Sequence, residues 1–135
     1  MLLLRDSRLI TQDGLQDDVM HSSETVGSVI LENLGLTVLR KGLFGNVTRR
    51  FSYLSARFNF ELTEIEPGAF DGIRQVSQIN LSFCDLTDEG MPPDIFASIA
   101  NPRFPVYIEL MDNPRMTEEP RACKIEGIRC GNIGN

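Results

Sequence analysis

Only three cysteines and one histidine occur in this chain of 135 residues, and its 13 basic side chains are outnumbered by 19 acidic ones. No apolar run approaches the length of about 20 residues that a membrane helix needs, so no membrane span is expected. The formal net charge of -6 argues against nucleic acid as a main partner, because phosphate neutralisation calls for an excess of Lys and Arg on one face. Two neighbouring thiols and a distant His21 do not make four zinc ligands, so no metal is expected. The phosphate-binding loop, the dinucleotide fingerprint and the G-x-S-x-G elbow are all missing, so no cofactor is expected either. A Ser-His-Asp site would have to use His21 in "MHSSET", which reads as a solvated loop residue. No enzyme is expected. The acids of "DLTDEG", Asp85 to Gly90, lack calcium-loop spacing and also read as a solvated loop. The opening "MLLLRDSRLI" is broken by Arg5 and Asp6 after four residues, too early for the core of a signal peptide.

What is present is a rhythm. Hydrophobic content of 41% suits one folded domain with a substantial core. In "VILENLGLTVLRKGLFGNV" the large aliphatics Val29, Leu31, Leu34, Leu36 and Leu39 follow neither a strand nor a helix period. The pattern continues through Gly42, Phe44 and Val47. It recurs in "FSYLSARFNFELTEIEPGAFDGI" with Phe51, Leu54, Ala56, Asn59, Leu62, Ile65, Gly68, Phe70 and Ile73, with one extra residue after Asn59. It recurs again in "VSQINLSFCDLTDEGMPPDIFASI" with Val76, Ile79, Leu81, Cys84, Leu86, Met91, Phe96 and Ile99. Phe44, Phe70 and Phe96 are spaced by 26 residues, and Leu31, Ala56 and Leu81 by 25. Partial units stand at both ends: Leu2, Leu4, Ser7, Leu9, Gly14 and Val19 at the start, and Ile108, Leu110 and Asn113 near the finish.

A 20–29-residue period of the form L-x-x-L-x-L-x-x-N/C-x-L resembles the leucine-rich repeat family over roughly residues 2 to 116. The segments "GLF", "PGAF" and "DIF" look like the typical subclass common in extracellular proteins. The resemblance implies an α/β solenoid, with a curved parallel β-sheet on the concave face and short helical turns and loops on the convex face. About five repeats fill residues 1–116, the first and last incomplete, and residues 117–135 form a C-terminal flanking segment. Because the first unit lacks a cap, a partial chain whose signal peptide lies upstream is expected.

Strand alternation turns Val29 and Leu31 inward and Ile30 outward, and likewise in each unit. A strand of three to five residues is not stable alone and needs its neighbours' ladders. A buried Asn at the turn can satisfy loop backbone groups; Ser7, Leu34, Asn59, Cys84 and Asn113 occupy that place, and Leu34 cannot serve it. A backbone adjustment or bridging water is therefore expected at Leu34. Phe44, Phe70 and Phe96 are expected to stack as a spine, each ring contributing about 1.5–3 kcal/mol. Gly42 and Gly68 precede the Phe where the chain bends. Pro92, Pro93, Pro102 and Pro105 exclude one long helix between 91 and 105.

Side chains that leave the strands outward form the concave face, the usual binding surface of solenoids. One column reads Leu3, Ile30, Ser55, Asn80 and Glu109. The next is Arg5, Glu32, Arg57, Ser82 and Met111, with signs alternating over its first three members. Asp6, Asn33, Phe58, Phe83 and Asp112 follow, and Ser28, Tyr53, Gln78 and Tyr107 precede the first anchor. Tyr53, Arg57, Phe58, Gln78, Ser82, Phe83 and Tyr107 are the candidate partner-binding residues, since aromatics flanked by Arg dominate protein-binding hot spots. Phe58 and Phe83 can equally be read as folding back over the sheet edge into the core.

Cys84 reads as a buried, inert thiol in the Asn slot. The family's C-terminal cap follows an "NP" segment and carries four cysteines opening with C-x-C. "DNPR", Asp112 to Arg115, resembles its entry, but only Cys123 and Cys130 follow. Through this resemblance they form a local disulfide if the chain is secreted. Two sequons, Asn46-Val47-Thr48 and Asn80-Leu81-Ser82, are candidate glycosylation sites, the second on the binding face. The functional expectation is an extracellular or secreted recognition module that binds another protein through the concave face. The alternatives are a non-catalytic stabilising subunit of a secreted enzyme complex and an intracellular scaffold or inhibitor.

Overall fold

The alternation around Val29, Leu54, Ile79 and Ile108 builds a single parallel sheet. The computed structural model describes residues 27–45 and 50–133, together with the backbone pairing of three short strands before them. The strands are β1 (Leu2–Leu3), β2 (Ile10–Thr11), β3 (Gly14–Leu15), β4 (Ser28–Ile30), β5 (Val38–Leu39), β6 (Tyr53–Ser55), β7 (Glu64–Ile65), β8 (Gln78–Asn80), β9 (Val106–Glu109) and β10 (Ile128–Gly131). The main sheet has six strands in the order β1-β4-β6-β8-β9-β10. Each neighbouring pair is parallel, so the chain is a parallel-strand solenoid of about four turns. Register joins Val29, Leu54, Ile79 and Ile108 in one inward column and Ile30, Ser55, Asn80 and Glu109 in the next. β1 joins the same register, Leu2 facing Val29, while Leu4, Arg5, Asp6, Ser7, Leu9 and Val19 lie outside the described residues.

Both anchors of β4, β6, β8 and β9 are buried: Val29 and Leu31, Leu54 and Ala56, Ile79 and Leu81, Ile108 and Leu110. Opposite the sheet, Phe44, Phe70 and Phe96 are fully buried. Their rings stack in series, with centroids 6.4 Å apart from Phe44 to Phe70 and 5.6 Å from Phe70 to Phe96. Each coil therefore covers the apolar face of the last, and no coil needs a closed core of its own. Gly42 and Gly68 take φ of 83° and 87° at the bend before the spine, a conformation L side chains resist.

The return path differs from the expected short helices. Among the described residues the only helix is a three-residue 3-10 turn, Arg121–Cys123, beyond the repeats. The coils come back through isolated three-residue turns, as where the amides of Leu43, Ala69 and Ala97 donate to the carbonyls of Arg40, Glu66 and Asp94. β5 and β7 add a small parallel pair on this return path. Prolines at 92, 93, 102 and 105 keep such turns from fusing into a helix.

Buried Asn59 shows what the turn position does. Its Oδ1 accepts from the amides of Leu34 (3.0 Å) and Leu36 (3.2 Å), and its Nδ2 donates to the carbonyls of Leu31 and Ala56. Asn113 repeats this toward Leu86, Leu81 and Leu110. Cys84 makes weaker versions of the bonds, Sγ lying 3.4 Å from the Ala56 carbonyl. Each of these side chains ties down the coil before its own. The Leu34 amide is itself bound by Asn59 of the next coil, and the residues that a side chain at position 34 would tie down lie outside those described.

The flanking segment, residues 117–135, is built onto the same sheet. β10 pairs with β9 over four residues, and Cys130 within it is disulfide-bonded to Cys123 in the 3-10 turn. Arg121 reaches back to Asp88 (2.9 Å) and Arg115, just before this segment, to Asp85 (3.0 Å), so two acids of "DLTDEG" are paired. No helix of the described chain is long and apolar enough to cross a membrane.

Candidate functional site

The concave columns bring together residues from four consecutive coils. Glu32 and Arg57 sit side by side, with Arg57 Nε 2.7 Å from Glu32 Oε2, and Ser55 Oγ donates to the same oxygen. Partial burial pushes the Glu32 carboxyl up. The hydrogen bonds from Arg57 and Ser55, with the Arg57 charge, outweigh that and hold it below its usual range. The Glu32 hydrogen bond in turn raises Arg57, against partial desolvation. Arg5, the third member of the expected ladder, lies outside the described residues.

Two strands further on, Glu109 gathers amide donors. Its Oε2 accepts from Asn80 Nδ2 at 3.3 Å and from Gln78 Nε2 at 3.5 Å, and its Oε1 accepts from Asn132 Nδ2 at 3.1 Å. Asn80 Nδ2 also reaches the Tyr53 hydroxyl at 3.4 Å. Tyr107 leans over β10, where a side chain at Gly131 would collide with its hydroxyl at 2.1 Å. A glycine there lets the ring approach the last strand closely.

At the end where the strands finish lie the phenylalanines. Phe58 and Phe83 stack with ring centroids 4.9 Å apart. The Arg57 guanidinium lies 5.1 Å from the centre of the Phe58 ring, and the Phe60 ring is centred 6.1 Å from it. Phe58 and Phe83 are half-buried. Neither belongs to the buried core, nor to the partly buried side chains that pack against it, such as Leu34, Leu36 and Val76. The core reading of this pair therefore does not describe their packing. An open cleft of about 410 Å³ runs beside them between Phe60, Phe83, Asp112 and Pro114.

Of the candidate binding residues, Tyr53, Arg57, Phe58, Gln78, Phe83 and Tyr107 are all partly exposed on this face. Ser82 departs from the expectation: it is 1% exposed, and its hydroxyl accepts the Met111 amide at 3.1 Å, so it holds the next strand. Asn80 departs as well. It is 5% exposed, its Nδ2 is shared between Glu109 and Tyr53, and its Oδ1 accepts the Ser82 amide. A glycan on that nitrogen would displace its bonds to Glu109 and Tyr53. The sequon at Asn46 lies outside the described residues, as does His21.

Phe60 was not readable as part of this patch. It fills the one-residue insertion after Asn59, is 65% exposed, and has no counterpart in the other coils. Its only signal was an aromatic at an insertion, where polar residues are the rule. Among the described residues no three His, Cys, Asp or Glu side chains are grouped so as to hold a metal ion. The face therefore presents aromatic rings, the guanidinium of Arg57, Arg129 in register beside Tyr107, amide groups and the carboxylates of Glu32 and Glu109, which suit recognition by stacking, ion pairing and hydrogen bonding. No family model, curated protein or solved structure matches this chain.

Proposed function

We propose that this chain is a leucine-rich-repeat protein of the typical extracellular kind, and that it binds a partner protein through its concave face. Tyr53, Arg57, Phe58, Gln78, Phe83 and Tyr107 make the contact, with Phe60 at its edge. The family reading is supported by the parallel coils of about 25 residues, the bridging asparagines and the stacked phenylalanines.

The observation that carries the binding face is the backbone under Phe58 and Phe83. Both stand in the left-handed region, at φ of 65° and 58°. The same turn position holds Asn33 in the coil before and Asp112 in the coil after, at φ of 55° each. Short polar residues tolerate this conformation, whereas a bulky side chain there costs about 1–2 kcal/mol. Packing does not call for the rings, since they sit outside the core. Two costly aromatics, side by side at a surface turn and beside an arginine, fit a binding hot spot.

The Cys123–Cys130 disulfide is compatible with an oxidising compartment and with an extracellular site of action. The test is affinity capture from extracellular fluid on the immobilised chain. Tyr53→Ala with Phe83→Ala, folded by circular dichroism, loses a partner that the unaltered chain retains. Equal retention by both places the interface elsewhere.

A further inference from the structure

The opposite rim of the sheet, where the strands begin, carries a second surface with different chemistry. A groove of about 660 Å³ runs there across four coils, within the range of about 300–1,000 Å³ typical of ligand clefts. Arg50 and Arg103 line it just before strands β6 and β9, and Gln75 lines it before β8; by register Phe104 rather than Arg103 stands level with Arg50 and Gln75. β6 and β9 flank β8 in the sheet, so the two arginines come from coils two strands apart along the rim. Arg74 borders an adjoining hollow that shares Gln75, Val76 and Asn101 with the groove.

No carboxylate lines the groove among the described residues, in a chain where acids outnumber bases by 19 to 13. Arg50, Arg74 and Arg103 are exposed, and none pairs with a described acid, whereas Arg40, Arg57, Arg115 and Arg121 all do. The floor is fixed: Ser52 and Ser77 hydroxyls donate to the carbonyls of Gly27 and Ser52 in the preceding coils. Asn101 Oδ1 accepts the amides of Arg103 and Phe104, which sets both side chains at the mouth. Phe104 is 69% exposed, with the Arg103 guanidinium 5.6 Å from its ring centre.

We infer that this rim is a second binding site, which takes an extended acidic peptide segment of a partner protein. Guanidinium forks on Arg50 and Arg103 bind its carboxylates, as arginine geometry favours. Val76, Phe104 and Pro105 form an apolar wall for its hydrophobic side chains. That wall distinguishes a peptide from a sulfated sugar chain, which has no use for it. The site is separate from the aromatic patch, which stands where the strands end.

The test is calorimetric titration of the full chain with a blocked hexapeptide of alternating glutamate and phenylalanine. Binding is expected at low salt, weakening as the screening length falls below about 10 Å near 0.1 M. Arg50→Gln with Arg103→Gln, both exposed and checked for folding by circular dichroism, weakens it about tenfold or more. Phe58→Asn with Phe83→Asn leaves it unchanged. The inference is overturned if the glutamine version of the peptide binds equally, or if the arginine variant binds as well as the parent. It is also overturned if a heparin hexasaccharide binds and the peptide does not.

Discussion

The rings of Phe58 and Phe83 lie 4.9 Å apart with their planes inclined by 23°, and each hangs from a left-handed backbone. The backbone is held there from outside: the Phe58 amide donates to the Ser82 carbonyl and the Phe83 amide to that of Met111, so the ladder runs straight through the strained residues. The turn comes from the coil, and the aromatic ring is an addition to it.

Replacing both rings should therefore cost little. Phe58→Asn with Phe83→Asn relieves about 1–2 kcal/mol of backbone strain per site and forfeits about 0.5–1.5 kcal/mol of stacking plus some burial. Urea denaturation should show stability within about 1 kcal/mol of the parent. Phe70→Ala, in the fully buried spine, should lose about 3–5 kcal/mol. Equal large losses in both variants would make Phe58 and Phe83 structural.

Asn59→Leu places at the second coil what Leu34 already is at the first. Here the change strands the amides of Leu34 and Leu36 and the carbonyl of Leu31, and leaves the Ala56 carbonyl only the Cys84 thiol. An unsatisfied buried group costs about 1–3 kcal/mol, so the variant should lose at least about 3 kcal/mol in the same denaturation.

The Glu32–Arg57 pair predicts a small acid dependence. The folded Glu32 carboxyl titrates below its ordinary 4.5, so on acidification the unfolded chain takes up the proton first. The stabilisation is complete above the ordinary value and is lost as pH falls through the folded one. Arg57 is more than a third exposed, so screening keeps the effect below about 1 kcal/mol. Melting temperatures at about pH 5 and about pH 3 should differ more for the parent than for Glu32→Gln. Identical slopes would remove the pair from the acid response.

The three cysteines should separate cleanly by reagent. Burial pushes the Cys84 thiol up to about 11, with the Asn59 amide pulling slightly the other way, so it should resist a thiol-disulfide reagent near pH 8 until the chain is unfolded. Cys123 and Cys130 should yield no free thiol before reduction. Reduction should then lower stability by about 2–3 kcal/mol for so short a loop.

The inward columns were legible because burial selects one residue type at Val29, Leu54, Ile79 and Ile108, and the repeat length keeps them in register. The spine was legible for the same reason, since three phenylalanines recur at one interval. The left-handed backbone at Phe58 and Phe83 was not: glycine or asparagine announces that conformation, and phenylalanine conceals it. The fates of Ser82 and Asn80 depend on Met111, Glu109 and Tyr53, partners contributed by other coils. The rim arginines fall between repeat positions at uneven intervals, so no template draws them together.

Hydroxyl-radical footprinting of the chain, free and bound to a captured partner, tests the binding face most directly, because oxidation reports side-chain exposure ring by ring. Phe58, Phe83 and Tyr107 should be oxidised in the free chain and shielded in the complex, while the buried Phe70 stays silent in both. Oxidation of Phe58 and Phe83 that persists undiminished in the complex would contradict the account.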